Sequence, residues 1–257
     1  MRTPIGWLAG LVALAGTARL SAQAKPDLTT FTADLGFVSV TGNTSVTTIN
    51  IGDKFQTQTA GKKVSFTQLF NVVRSEADGV KNAENFRAQV RLDYGIGGRA
   101  YLFGLTGWDR NVPAGVSRRF EETFGLGLKV VAELQDELSF EIGLSAFEQR
   151  NTLTTPGANR QDTYAAGRVA GSYKHAFTKA SFLVQNLELI PNFDNSTDFR
   201  LNTESALVAP ISARIGLKLG YVIRYDNFPG LRPDPNPNGE RFKKTDRFLT
   251  AGITLSY

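Results

Sequence analysis

The chain ends in a strand with two chemically distinct faces. Leu249, Ala251, Ile253, Leu255 and Tyr257 fall on one parity, and Thr250, Gly252, Thr254 and Ser256 on the other. Side chains alternate between the faces of a strand, so one surface here is apolar and the other polar. A strand with lipid on one side and a wet lumen on the other needs this pattern, and the closing strands of outer-membrane barrels have it.

The alternation recurs along the chain. Phe31, Ala33, Leu35 and Phe37 alternate with Thr32, Asp34 and Gly36. Ile49, Ile51 and Phe55 alternate with Asn50 and Lys54, and Phe66, Phe70 and Val72 with Ser65, Thr67 and Asn71. The cleanest stretch sets Phe86, Ala88, Val90, Leu92 and Tyr94 against Arg87, Gln89, Arg91 and Asp93. Phe124, Leu126, Leu128 and Val130 oppose Thr123 and Lys129; Leu138, Phe140, Ile142 and Leu144 oppose Ser139, Glu141 and Ser145. Phe199, Leu201 and Leu207 oppose Arg200, Asn202 and Glu204, and Ile215 to Tyr225 oppose Lys218 and Arg224. Three further stretches, 101–108, 164–173 and 181–190, have strand character without a readable facing. With the closing strand this predicts about twelve strands, an even number as single-chain barrels require.

The connections sort by length. Tight turns are expected at 59–62, 95–99, 134–137, 176–179 and 209–213. Long loops are expected at 75–85, 111–119, 149–162, 192–198 and 227–246. The first hairpin, at Gly42-Asn43, is the one short member of the second set. Short turns on one side and long loops on the other match the outer-membrane arrangement, with both termini periplasmic. A soluble β-sandwich or lipocalin-like barrel would bury the apolar parity in a core and needs no such contrast.

The N-terminus fits a secretory signal. Arg2 gives a positive start, Ile5 to Ala18 is mostly apolar, and Ala22-Gln23-Ala24 places small residues where a signal peptidase cuts. The expected division is residues 1–24 as signal peptide and 25–257 as one barrel domain. The apolar run is shorter than the ~18–20 residues of a spanning helix. No later stretch supplies one, so a membrane-spanning form must be a closed barrel.

Composition narrows the function. The formal charge of +5 falls by two without Arg2 and Arg19, and the remainder is spread thinly, which gives nucleic-acid binding no support. Cysteine is absent, which removes disulfides and thiolate chemistry, and a single histidine leaves little for a metal. No metal or cofactor is expected. Asp234, Asn236, Asn238 and Gly239 imitate the start of a calcium loop, but Thr245 stands where the bidentate Glu belongs and prolines interrupt the run. For hydrolysis, His175 would need a nucleophile within ~3 Å. Ser172, three residues away on a strand, points to the opposite face, and no Gly-x-Ser-x-Gly elbow occurs. The expectation is a protein that is not an enzyme.

The motifs resemble those of the salt-induced outer-membrane proteins, a YdiY-like family whose domain is of unknown function. The matching stretches are Thr41-Gly42-Asn43-Thr44, Phe86-Arg87-Ala88 with Asp93-Tyr94, and Tyr101-Leu102-Phe103-Gly104. They continue with Gln185-Asn186-Leu187-Glu188 through Pro191, and with Asp198-Phe199-Arg200-Leu201-Asn202-Thr203-Glu204. Arg224-Tyr225-Asp226 and Lys243-Lys244-Thr245-Asp246 complete the set. The resemblance implies an outer-membrane location, contact with lipid and lipopolysaccharide, and a loose link to salt or osmotic response. It also implies that Tyr257, with Leu255 and Ile253, forms the terminal signal read by the barrel-assembly machinery. It supplies no reaction and no catalytic residues.

A charge facing lipid near the midplane would cost about 2–4 kcal/mol for Arg or Lys. The polar parity should therefore face the lumen, where Arg87, Arg91, Asp93, Lys129, Glu141, Arg200, Glu204, Lys218 and Arg224 are the expected pore-lining residues. Two readings remain open: a narrow channel for small polar or ionic solutes, or a barrel filled by an internal ion-pair network and acting through its loops. Twelve strands lie between the filled eight-stranded barrels and the open sixteen-stranded ones. The proline-rich loop 227–244 fits either an inward-folding lid or a solvated surface loop. Nothing in the sequence marks a subunit interface, so a monomer is expected.

Overall fold

Alternating strands can satisfy every backbone group within a bilayer only by closing on themselves. In the computed structural model they do. Twelve antiparallel strands form one closed barrel, each paired with its sequence neighbours and β1 with β12. The strands are β1 (Thr29–Val40), β2 (Val46–Gln58), β3 (Val64–Ala77), β4 (Val80–Gly97), β5 (Ala100–Asn111) and β6 (Val116–Ala132). Then follow β7 (Asp136–Asn151), β8 (Gln161–Ala176), β9 (Phe182–Pro191), β10 (Phe199–Pro210), β11 (Ile215–Asp226) and β12 (Thr245–Ser256). The structure describes residues 29–40, 46–59, 61, 63–112, 115–152, 161–178, 181–212, 214–232 and 239–256. The expected signal segment 1–24, the expected hairpin at Gly42-Asn43, Tyr257 and most of the calcium-like run at 234–239 lie outside the described residues.

The outer surface carries the apolar parity. Leu35, Phe37, Ile51, Leu92, Phe124, Leu126, Leu128, Ile142, Leu144, Leu217 and Leu249 are all exposed, and the cross-strand register puts their partners on the same face. An apolar belt of this extent suits lipid and would be an aggregation surface in water. Among the described residues no helix is long and apolar enough to cross a membrane. The chain is an all-β, transmembrane up-and-down barrel of the outer-membrane type. The seam is closed by Ala33↔Leu255 and Leu35↔Ile253, so two residues of the expected terminal signal sit in the closing pair.

The tight turns fall where the pattern puts them, but two of the expected long loops do not. In place of a loop over 75–85, β3 runs on to Ala77 and β4 begins at Val80. Asp78 and Gly79 join them with φ of 50° and 77°. Positive φ at both central residues is the Asp-Gly hairpin geometry that suits the twist of paired strands. Likewise only 112–115 separate β5 from β6. The length contrast survives at 152–160, 192–198 and 227–244. β4 is 18 residues long and β6 is 17, whereas crossing a bilayer takes about 9–11. These strands therefore project beyond the lipid on the loop side. There the outward face turns polar, with ion pairs Arg74–Glu76 at 2.7 Å and Arg118–Glu148 at 3.4 Å.

Candidate functional site in the lumen

The expected pore-lining residues share one face. The register places Arg87, Arg91 and Asp93 of β4, Lys129 of β6 and Glu141 of β7 inward. Arg200 and Glu204 of β10 and Lys218 and Arg224 of β11 also point inward. The structure sorts them into different surroundings, and it adds residues whose facing the sequence left open.

A chain of charges crosses the middle of the lumen. Arg91 bonds Asp93 at 2.5 Å and Glu141 at 2.6 Å; Glu141 in turn accepts from Arg168 of β8 at 2.7 Å. Arg168 bonds Glu188 of β9 at 2.7 Å, and Glu188 accepts from Asn202 of β10 at 2.9 Å. Tyr101 Oη donates to Glu141 at 2.7 Å. Arg91 and Arg168 stack over the Phe103 ring, 4.4 and 5.3 Å from its centroid, which adds cation–π attraction to the charge pairs. Phe103 is only 1% exposed.

Glycine makes this arrangement possible. Tyr101 pairs with Gly127, which pairs with Glu141; Phe103 pairs with Gly125, which pairs with Gly143. The missing side chains on β6 let both rings lie flat across it toward β7. A Cβ at Gly125 would sit 2.6 Å from the Phe103 ring, and one at Gly127 would overlap Tyr101. β5 thus inverts the usual pattern, sending Tyr101, Phe103 and Leu105 inward, where all three are buried. A second apolar group fills the loop-side lumen. Phe147 (1% exposed) stacks on Tyr164 at 5.1 Å and packs with Ala166 and Ile190.

The opposite wall is different. Gly36, Gly52, Gly216, Gly220 and Gly252 share the inward parity with Thr250 and Thr254. Lys218 reaches past Gly252 to pair with Asp34. Lys54 and Glu204 point inward yet are exposed, so space open to water exists inside the barrel.

The arm between β11 and β12 closes over the loop-side mouth. Leu231 bridges to Arg241, and the Phe242 N–H donates to the Gly230 carbonyl at 2.9 Å. Arg241 stacks on Phe228 at 3.7 Å and bonds the Pro229 carbonyl at 2.7 Å. In the ring of strands, β5 and β6 lie across the lumen from β12. Phe242 nevertheless packs on Gly115, beside β6, where a Cβ would lie 2.8 Å from the ring. Asn111 of β5 reaches Asp246 of β12 at 3.3 Å. Between the expected lid and the expected surface loop, the described parts of 227–244 form the lid.

His175 lies on the outer face, its Nδ1 2.8 Å from Asp136, which also accepts from Tyr173 at 2.7 Å. Ser172 faces inward and bonds Asn186 at 2.8 Å, so the two groups do not meet. Among the described residues no cluster of metal-ligating side chains forms.

The family model described as "Protein of unknown function, DUF481" matches residues 33–257. The uncharacterized protein YdiY of Escherichia coli (strain K12) is 24% identical over 221 residues, covering 86% of this chain and 80% of that protein. Among solved structures, the chain is similar to the NanC porin, with a TM-score of 0.49, 7% identity, and coverage of 89% and 99%. It is also similar to the translocator domain of the autotransporter NalP from Neisseria meningitidis, with a TM-score of 0.44, 12% identity, and coverage of 89% and 86%.

Proposed function

We propose that this chain, which belongs to the DUF481 family, is a narrow outer-membrane channel for passive passage of small polar or ionic solutes. The observation that carries the reading is the exposure of Lys54 and Glu204 on the inward face. Charges in contact with water inside a lipid-facing barrel serve ions and polar solutes rather than structure alone. The mid-lumen network would then be the constriction that limits size. The long connections at 152–160, 192–198 and 227–244 all lie on the side opposite the start of β1 and the end of β12, which supports periplasmic termini. Residues 1–24 would be removed on export. The link to salt or osmotic conditions rests on the resemblance of the sequence motifs.

Conductance of the refolded mature barrel in a planar bilayer tests the reading. Discrete steps are expected, with an ion selectivity that follows the inward charges. Replacing both Arg87 and Arg91 by Ser should shift the reversal potential toward cation preference. An unchanged reversal potential removes the pair from the conducting path. A folded barrel that passes no current supports the second reading, a filled barrel acting through its loops. That reading draws on the burial of Phe103 and Phe147 and on the paired charges around Glu141. Deleting Tyr257 should impair assembly in cells, read as loss of the heat-modifiable folded band. Normal assembly of the truncated chain would count against a terminal signal.

A further inference from the structure

The arginines that face the lumen divide into two sets. Arg91, Arg119 and Arg168 each hold a carboxylate partner. Arg87, Arg200 and Arg224 form no ion pair among the described residues; Arg87 bonds only Gln89, at 3.1 Å. All three of the second set line one cavity of about 80 Å³ beneath the arm. Arg200 is 9% exposed, its guanidinium lies 4.2 Å from the Phe147 centroid, and its Nη2 has no hydrogen-bond partner. A buried, unsatisfied guanidinium nitrogen is costly unless a ligand or water completes it.

Each carboxylate in the same wall already faces a donor. Glu188 is held by Arg168 and Asn202, Asp109 lies 3.8 Å from Arg119, and Asp246 accepts from Asn111. Asp226 accepts the Phe228 N–H at 2.9 Å, and Glu121 accepts from Thr123 at 2.8 Å. The guanidinium groups left without a carboxylate partner at this cavity are planar and forked, which is the geometry that binds carboxylate and phosphate. Pro229, Lys243 and Lys244 of the arm complete its lining. A water needs roughly 10–15 Å³ of such space, so an ion of several heavy atoms fits.

We propose that this roofed vestibule binds a small oxyanion, a carboxylate or a phosphate, held by Arg87, Arg200 and Arg224. The site depends on the unpaired arginines and not on conductance, so it stands or falls separately from the channel reading. The test is calorimetric titration of the refolded barrel in detergent, with inorganic phosphate and, in a second series, with succinate. Saturable binding of at least one is expected. Binding of phosphate alone would assign the site to phosphates, and of succinate alone to carboxylates. Arg200→Gln and Arg224→Gln should each weaken binding about tenfold or more, the worth of one charged hydrogen bond. Arg224→Lys, which keeps the charge and loses the fork, should fall between. Lys174→Gln, inward on β8 but outside the cavity, should bind as the parent does. The heat-modifiable band confirms folding, and the Lys variant at the same position stands in for any Gln variant that lacks it. Absence of saturable binding in the parent, or undiminished binding in the Gln variants, overturns the proposal.

Discussion

Replacing Glu141 by Ala should destabilise the barrel by about 3–5 kcal/mol, the range expected when one member of a buried ion pair is removed and its partners remain. Among the described residues Glu141 is the only carboxylate joining Arg91 to Arg168, and it also accepts from Tyr101. Its loss leaves Arg168 with Glu188 and Arg91 with Asp93, each short of a partner at one end of its guanidinium. Tyr101 Oη, whose ring is fixed over Gly127, loses its acceptor as well. Glu141→Gln keeps an acceptor oxygen but removes the charge, and should fall between parent and Ala. Urea unfolding followed by tryptophan fluorescence gives the comparison. A loss below about 1 kcal/mol for Ala would mean that water already solvates these arginines, since exposed pairs are worth no more than that. In a conducting barrel the same variant should also move selectivity toward anions, because two guanidinium groups are left with excess positive charge at the constriction.

The barrel was legible because lipid enforces a simple rule on the outward face. β4 shows it best: Phe86 to Tyr94 against Arg87 to Asp93 gives facing and position without any tertiary information. β5 obeys no such rule. Its inward residues Tyr101, Phe103 and Leu105 are apolar, and only the glycines opposite on β6 explain why. The signal was present in Gly125 and Gly127 on the polar parity of β6, but a glycine there reads equally as a small polar-face residue until its neighbour is known. Arg168 escaped for a related reason. β8 carries Ala on both faces and Gly167 and Gly171 on the outward one, so neither face announces itself, and the pattern gives no facing to the residue that links Glu141 to Glu188. The stretch 75–85 lies between two clear alternations and is expected as a loop, while the strands simply outgrow the bilayer and need only a two-residue turn. The arm is the least local feature. Its docking depends on Phe242 meeting Gly115 from the far side of the ring, and no spacing within 227–244 encodes that.

Phe103→Ala should have the second large effect, and it separates filling from closure. The ring is 1% exposed, lies over Gly125 and carries both stacked arginines. Truncation should cost about 3–5 kcal/mol from lost burial and the space left behind. Gly125→Val in the parent should cost about 1–3 kcal/mol or more by overpacking against the same ring and against the Ile142 carbonyl, 2.3 Å from the added Cβ. The two positions touch, so their effects should not add. With Phe103 gone, the valine keeps its clash with the Ile142 carbonyl, 2.3 Å from its Cβ, but no longer meets the ring and refills part of the void, and the double variant should be more stable than the sum predicts by at least ~1 kcal/mol. Strict additivity would mean that the ring does not lie over Gly125. The bilayer reading adds a second axis. If the constriction sets the path, Phe103→Ala should raise the single-channel conductance above the parent's, and adding Gly125→Val should lower it again. An increase in stability on refilling, with no conductance in any variant, would place Phe103 in a packed interior and favour the filled barrel.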